Sequence, residues 1–140
     1  MTPFESAVRA RVYSLLVEGI RKVDVEAVAE SGGWAPGEVA AAFSAMAEDH
    51  LIALTDDGRT VWMAHPFSGV ATSYRAVVGS RSWYANCAWD ALAILSLLGD
   101  GQVHDGDGPL WEVDHGVVSP HGFVHLLVPA RQFWDDIGFT

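Results

Sequence analysis

The chain has 140 residues, 50% of them apolar and 19% charged, with 8 Lys and Arg against 18 Asp and Glu for a formal net charge of −10. That length suits one domain or two small ones sharing an interface, and the apolar content excludes wholesale disorder. The acid excess argues against nucleic acid and anionic membrane as partners, because phosphate binding draws on clustered basic residues.

A single cysteine excludes an intrachain disulfide, which suits a reducing compartment. The start "MTPFESAVRARVYSLL" lacks the basic region, apolar core and cleavage site of a secretory signal. No apolar run reaches the roughly 20 residues a membrane helix needs. A soluble, cytoplasmic protein is expected.

Along the chain, Phe4, Val8, Val12, Leu15 and Leu16 recur at helical spacing, and Gly19 stands where that helix should end. A short second helix is predicted from an Asp24 N-cap to Gly32-Gly33. A third begins near Pro36, a residue suited to a first helical position, and carries Val39, Phe43 and Met46 on one face. "LIAL", the turn "TDDGR" and "TVWM" then read as a hairpin.

Three helices and a hairpin over residues 1–65 follow the order of a winged helix-turn-helix. Charge decides against DNA reading. These residues hold five Lys and Arg against ten Asp and Glu, and the third helix, "PGEVAAAFSAMAEDH", has neither Lys nor Arg. DNA affinity and base reading both lean on those side chains. A packing or dimerisation module is the simpler expectation.

"AHPFSGVATS" reads as a linker, so the second region spans residues 66–140. "TSYRAVVG" alternates like a strand and "SRSW" reads as a turn. "NCAWDALAILSLLG" is the strongest helix of this half, with Asn86 as N-cap and Gly99 as terminator. "GDGQVHDGDGP" reads as a Gly/Asp loop, "LWEVDHGVV" and "FVHLLVP" as strands, and "ARQFWDDIGF" as a short helical turn. The fold class expected is therefore α+β, a winged-helix-like module followed by a region with a small sheet and a cysteine-bearing helix.

Cys87 and Asp90 are three residues apart, which places them on one helix face. In a first turn, the free N–H groups and the positive end of the helix dipole favour a thiolate and should lower its pKa. Asp90 lies among Trp89, Ala91 and Leu92, a setting that suits a carboxyl group able to give or take a proton. The pair is chemically plausible as nucleophile and acid. From spacing alone, a cysteine packing as a small hydrophobe with Asp90 capping the helix is the more economical reading.

A Cys-His-Asp hydrolase needs a histidine near Cys87. His121 and His125 are the nearest by composition, but solvated histidines explain them as well. "HDGDG" opens like a calcium loop, yet Pro109 takes a ligand position and no downstream Glu has the right spacing. His104, Asp105, Asp107, Asp114 and His115 remain a possible oxygen/nitrogen metal site, with a solvated loop the simpler reading. There is no dinucleotide fingerprint and no phosphate-loop lysine.

The stretch "WYANCAWDALAILSLLG" resembles the alkylmercury (organomercurial) lyase family, through its "YA-x-C-A-x-D-x-L" core, Arg81 before it and an apolar helix closing in Gly after it. "HPFSGVATSYRAVVGSRSWYANCAWDAL" and "VPARQFWDDIGFT" are similar to short actinobacterial-type members. The likeness covers residues 65–140, and the family's N-terminal winged-helix domain, which packs and does not read DNA, accords with residues 1–65.

The resemblance implies that Cys87 is a mercury-binding thiolate and Asp90 a proton-handling carboxylate. It implies protonolysis of carbon–mercury bonds to a hydrocarbon and Hg(II), with no cofactor and with low-molecular-weight thiols removing the metal. The family's second active-site cysteine would follow "WDDIGFT", past Thr140, so an incomplete chain is the expectation. The alternatives are a non-catalytic soft-metal or thiol-binding protein and a winged-helix metal-responsive regulator.

Overall fold

The computed structural model describes residues 1–106, 108–123 and 128–137. Its architecture is α+β, with four α-helices and two antiparallel sheets among the described residues. No described helix is long and apolar enough to cross a membrane.

Local signals explain the first three helices. α1 spans Pro3–Glu18. Thr2 Oγ1 accepts from the Glu5 amide at 3.2 Å and Glu5 Oε2 accepts from the Thr2 amide at 2.6 Å, a reciprocal capping box. Gly19 closes the helix at φ 87°, a left-handed conformation that glycine adopts without steric cost. α2 covers Val25–Gly32, with the Asp24 carboxylate accepting from the Ala27 amide at 2.9 Å. α3 covers Pro36–Glu48 and buries Val39, Ala42, Phe43 and Met46.

The strands β1 (Ala53–Leu54), β2 (Val61–Ala64) and β3 (Phe67–Ser68) form an antiparallel sheet in that order. The hairpin is as expected, but the segment read as a linker supplies β3. Phe67 lies opposite Ala64 and also bridges to Ala85, so this short stretch joins both halves of the chain.

The second sheet has the order β5-β4-β6-β7-β8, antiparallel throughout. Its strands are β4 (Tyr74–Val78), β5 (Arg81–Tyr84), β6 (Gly101–Asp105), β7 (Gly108–Asp114) and β8 (Val117–Ser119). Two expectations are corrected here. "SRSW" is strand β5, and the supposed Gly/Asp loop is largely β6 and the start of β7. Pairing with β4 outweighs the poor strand propensity of Gly, Ser and Asp. The strand expected over "FVHLLVP" falls mostly on 124–127, outside the described residues. "ARQFWDDIGF" begins with a 3-10 turn at Ala130–Gln132, close to expectation.

α4 (Ala88–Leu98) lies across β4 and β6 and buries Ala91, Ile94 and Leu95 in a core that includes Ala76 and Val103. The same hydrophobic cluster continues through Phe67, Trp83 and Ala85 to Val12, Leu15 and Leu16 of α1. The Trp83 indole N–H donates to the Val17 carbonyl at 2.9 Å, and the Arg81 guanidinium donates to that same oxygen. α1 is thereby fixed to the edge strand that leads into α4.

Gly101 permits the close fit of β6 against β4. A Cβ there would lie 2.0 Å from the Val77 carbonyl oxygen and 3.3 Å from Leu95 Cδ2. The first obstacle is backbone, so relief requires parting the two strands. Gly101→Ala should therefore lower the unfolding free energy by about 1–3 kcal/mol in urea titrations. Gly108→Ala, where a Cβ meets nothing within 4 Å, serves as the matched substitution and should fall within about 0.5 kcal/mol of the native protein.

Candidate functional site

β5 ends at Tyr84, Ala85 is pinned by its bridge to Phe67, and the chain then turns into α4 through Asn86 and Cys87. The N-cap is Cys87, not Asn86 as the sequence suggested. Cys87 has extended backbone angles, and its Sγ accepts from the Asp90 amide at 3.5 Å. Sulfur thus takes the place of the usual capping oxygen.

Cys87 and Asp90 do come together on one turn, as their spacing implied. The predicted fall in the thiol pKa is not realised. Burial pushes the Cys87 thiol above its ordinary value of 9.0, and the nearby Asp90 charge adds to the rise. The amide N–H groups of Asp90 and Trp89 favour the thiolate but do not overcome these effects. Helix-terminus stabilisation amounts to typically 0.3–1 kcal/mol. Desolvation of a buried ionisable group can exceed that severalfold.

The Asp90 side chain is only 14% exposed and is held from two sides. Its Oδ2 accepts from Asn86 Nδ2 at 2.9 Å and lies 3.3 Å from His65 Nδ1. Asn86 Nδ2 is also 3.3 Å from His65 Nδ1 and donates to the Pro66 carbonyl at 3.5 Å. Asn86 Oδ1 is buried with no hydrogen-bond partner among the described residues. The His65 ring is 45% exposed, and its own carbonyl accepts from the Tyr13 hydroxyl of α1 at 2.9 Å. His65 just after β2 and Asn86 just before α4 therefore meet at one carboxyl group, while α1 holds the His65 carbonyl.

Trp134 packs against His65. Its ring stacks on His50, with centroids 4.5 Å apart and planes at 7°, and meets His65 edge-on at 6.3 Å. Trp89, beside the pair on α4, is 61% exposed.

His65 and Trp134 were not among the residues singled out from the sequence, and Asn86 was singled out only as an N-cap. Asn86 and Asp90 stand at i and i+4, a spacing that could have revealed their bond. His65 lies 25 residues from Asp90, and only tertiary structure joins them.

The other expected sites fare differently. His104 Nε2 pairs with Gln102 Oε1 at 3.0 Å within β6, and Asp105 is exposed at the end of that strand. Asp114 and His115 instead lie with Asp100, their ligand-type atoms within 4.8 Å of one another, all three residues exposed. The Asp100 carboxylate already accepts from the His115 amide at 2.8 Å. His121 is exposed beyond β8. Asp107 and His125 lie outside the described residues.

No family model matches the chain, and no curated protein matches it in sequence. Among solved structures, the mercury-bound form of MerB2 matches with a TM-score of 0.65 at 18% identity. The two chains share a fold. The match covers 85% of this chain, which spans 60% of the length of the MerB2 chain.

The thiol's protonation is open to direct test. Because the Asp90 charge opposes thiolate formation, Asp90→Asn should raise the rate of Cys87 alkylation by iodoacetamide at pH 8 severalfold and shift its pH profile to lower pH. Below the thiol pKa the rate follows the thiolate fraction. An unchanged or slower rate would show that the Asp90 charge does not act on the sulfur.

Proposed function

We propose that this protein cleaves carbon–mercury bonds by protonolysis at Cys87 and Asp90. The observation that carries the reading is a half-buried thiol and a secluded, hydrogen-bonded carboxyl group on one helical turn. The resemblance of "YANCAWDAL" to the alkylmercury lyases supports it, and so does the fold shared with MerB2.

The chemistry balances on these two side chains. Soft sulfur bonds the mercury of an organomercury–thiolate adduct, and the displaced thiolate leaves carrying the Cys87 proton. The protonated Asp90 carboxyl group then gives its hydrogen to the carbon on mercury. The carbon–mercury electron pair becomes the carbon–hydrogen bond, the hydrocarbon departs, and Hg(II) stays on sulfur with Asp90 as carboxylate. Mercury remains divalent throughout. Low-molecular-weight thiols then take up Hg(II) and restore the protonated cysteine, which suits a group that burial keeps protonated.

Several features fit an apolar organic group on the substrate. Trp89 adjoins Asp90 on α4 and Trp134 packs edge-on with His65, which supplies aromatic surface near the site. No organic cofactor enters this scheme. Residues 1–65 are read as a packing module, consistent with the absence of Lys and Arg from α3.

Incubation with phenylmercury and excess thiol should release benzene, one per mercury consumed. Cys87→Ser should abolish release, and Asp90→Asn should slow it by about 100-fold or more, the usual loss with a general acid. Benzene no higher than the Cys87→Ser level would overturn the lyase reading. Retention of one phenylmercury per chain without benzene, with one Hg(II) bound when inorganic Hg(II) is offered instead, would favour a soft-metal-binding protein.

A further inference from the structure

We infer that His65 is a positioning residue that delivers solvent protons to Asp90, an inference that rests on the lyase reading of Asp90. The motivating geometry is the triangle of His65 Nδ1, Asn86 Nδ2 and Asp90 Oδ2, with sides of 3.3, 2.9 and 3.3 Å.

The triangle accepts a proton on either partner without movement of a heavy atom. With the proton on His65, Nδ1–H donates to Oδ2, which also accepts from Asn86. With the proton on Asp90, the acid O–H donates to the bare Nδ1 lone pair. Oδ2 still accepts from Asn86, whose second hydrogen points to the Pro66 carbonyl in both states. Asn86 Nδ2 can only donate, so it holds Oδ2 in place whichever group carries the proton.

Exposure sets the direction of supply. Asp90 is 14% exposed and the His65 side chain 45%, so the imidazole is the member of the pair in contact with water. The imidazolium passes its Nδ1 proton to the Asp90 carboxylate and becomes neutral imidazole protonated at Nε2. Asp90 gives that proton to carbon, and water returns one to the imidazole. Each turnover draws one proton through the imidazole, and the two thiols that take up Hg(II) re-protonate Cys87 and return one proton to solvent, so the cycle balances.

The surroundings keep the ring in this orientation. Tyr13 of α1 holds the His65 carbonyl, and the Trp134 edge rests against the imidazole. Among the described residues, the ionisable groups with contacts at or next to the ring include Asp90 on α4, Cys87 acting through Asp90, Tyr13 on α1 and His50 across Trp134.

The decisive variant is His65→Asn, which keeps a donor near the Nδ1 position but cannot titrate. With phenylmercury and excess thiol, KM should stay within about 2-fold while kcat falls by about 10- to 100-fold, below the upper range for a lost acid–base group. The pH dependence of kcat between about pH 5 and 8, where histidine changes charge, should flatten, and added imidazole should restore part of the rate. An unchanged kcat and pH profile would overturn the relay.

A second readout does not depend on turnover. The 15N shift of His65 Nδ1, which reports the hydrogen bond at that atom, should change in Asp90→Asn relative to the native protein and leave the other histidines unmoved. An identical His65 Nδ1 shift in both would overturn the pairing even if the native protein released no hydrocarbon. Absence of hydrocarbon with a changed His65 Nδ1 shift would instead sink the lyase reading and leave the His65–Asp90 pair standing.

Discussion

The carboxyl group of Asp90 is the tie on which the site depends. It binds the first turn of α4 to His65 at the end of β2, with Asn86 holding the joint from the intervening chain. Without that tie, the N-terminus of α4 would be anchored to the first sheet chiefly through the Phe67–Ala85 bridge. The same bond keeps the carboxyl group turned toward His65, in the turn that Cys87 caps. A partly buried polar group held on two sides is rigid, and rigidity is what the proposed proton transfer to carbon would need.

The thiol shows how competing effects resolve. A helix N-terminus favours negative charge on sulfur, and Cys87 receives an amide N–H at 3.5 Å. Burial and the Asp90 charge act the other way and win. Under the proposed function, such a thiol stays protonated until a soft metal displaces its proton. A protonated thiol also resists alkylation at neutral pH, because thiolate is the reactive form.

Most of the helical framework was legible in the sequence because its signals are local. Thr2, Asp24, Gly19 and Gly33 mark helix ends through their own hydrogen bonds or backbone angles. β5 and β6 were misread because "SRSW" and "GQVHD" carry little intrinsic strand preference and owe their conformation to β4 between them. That Cys87 and Asp90 share one turn followed from their spacing. The charge state of the thiol did not, since burial depends on how the sheet and α4 pack. His65 and Trp134 were invisible for a related reason: their partners lie far away in sequence, and no periodicity relates them.

The most direct test is a crystal structure of the Asp90→Asn variant with phenylmercury bound, since this substitution removes the proton and should trap the substrate. The account predicts mercury on Cys87 Sγ, with the ring carbon on mercury facing the residue 90 side chain within about 3–3.5 Å, the separation of a near-attack arrangement. Mercury held by the histidines, or on Sγ with the ring carbon directed away from residue 90, would contradict it.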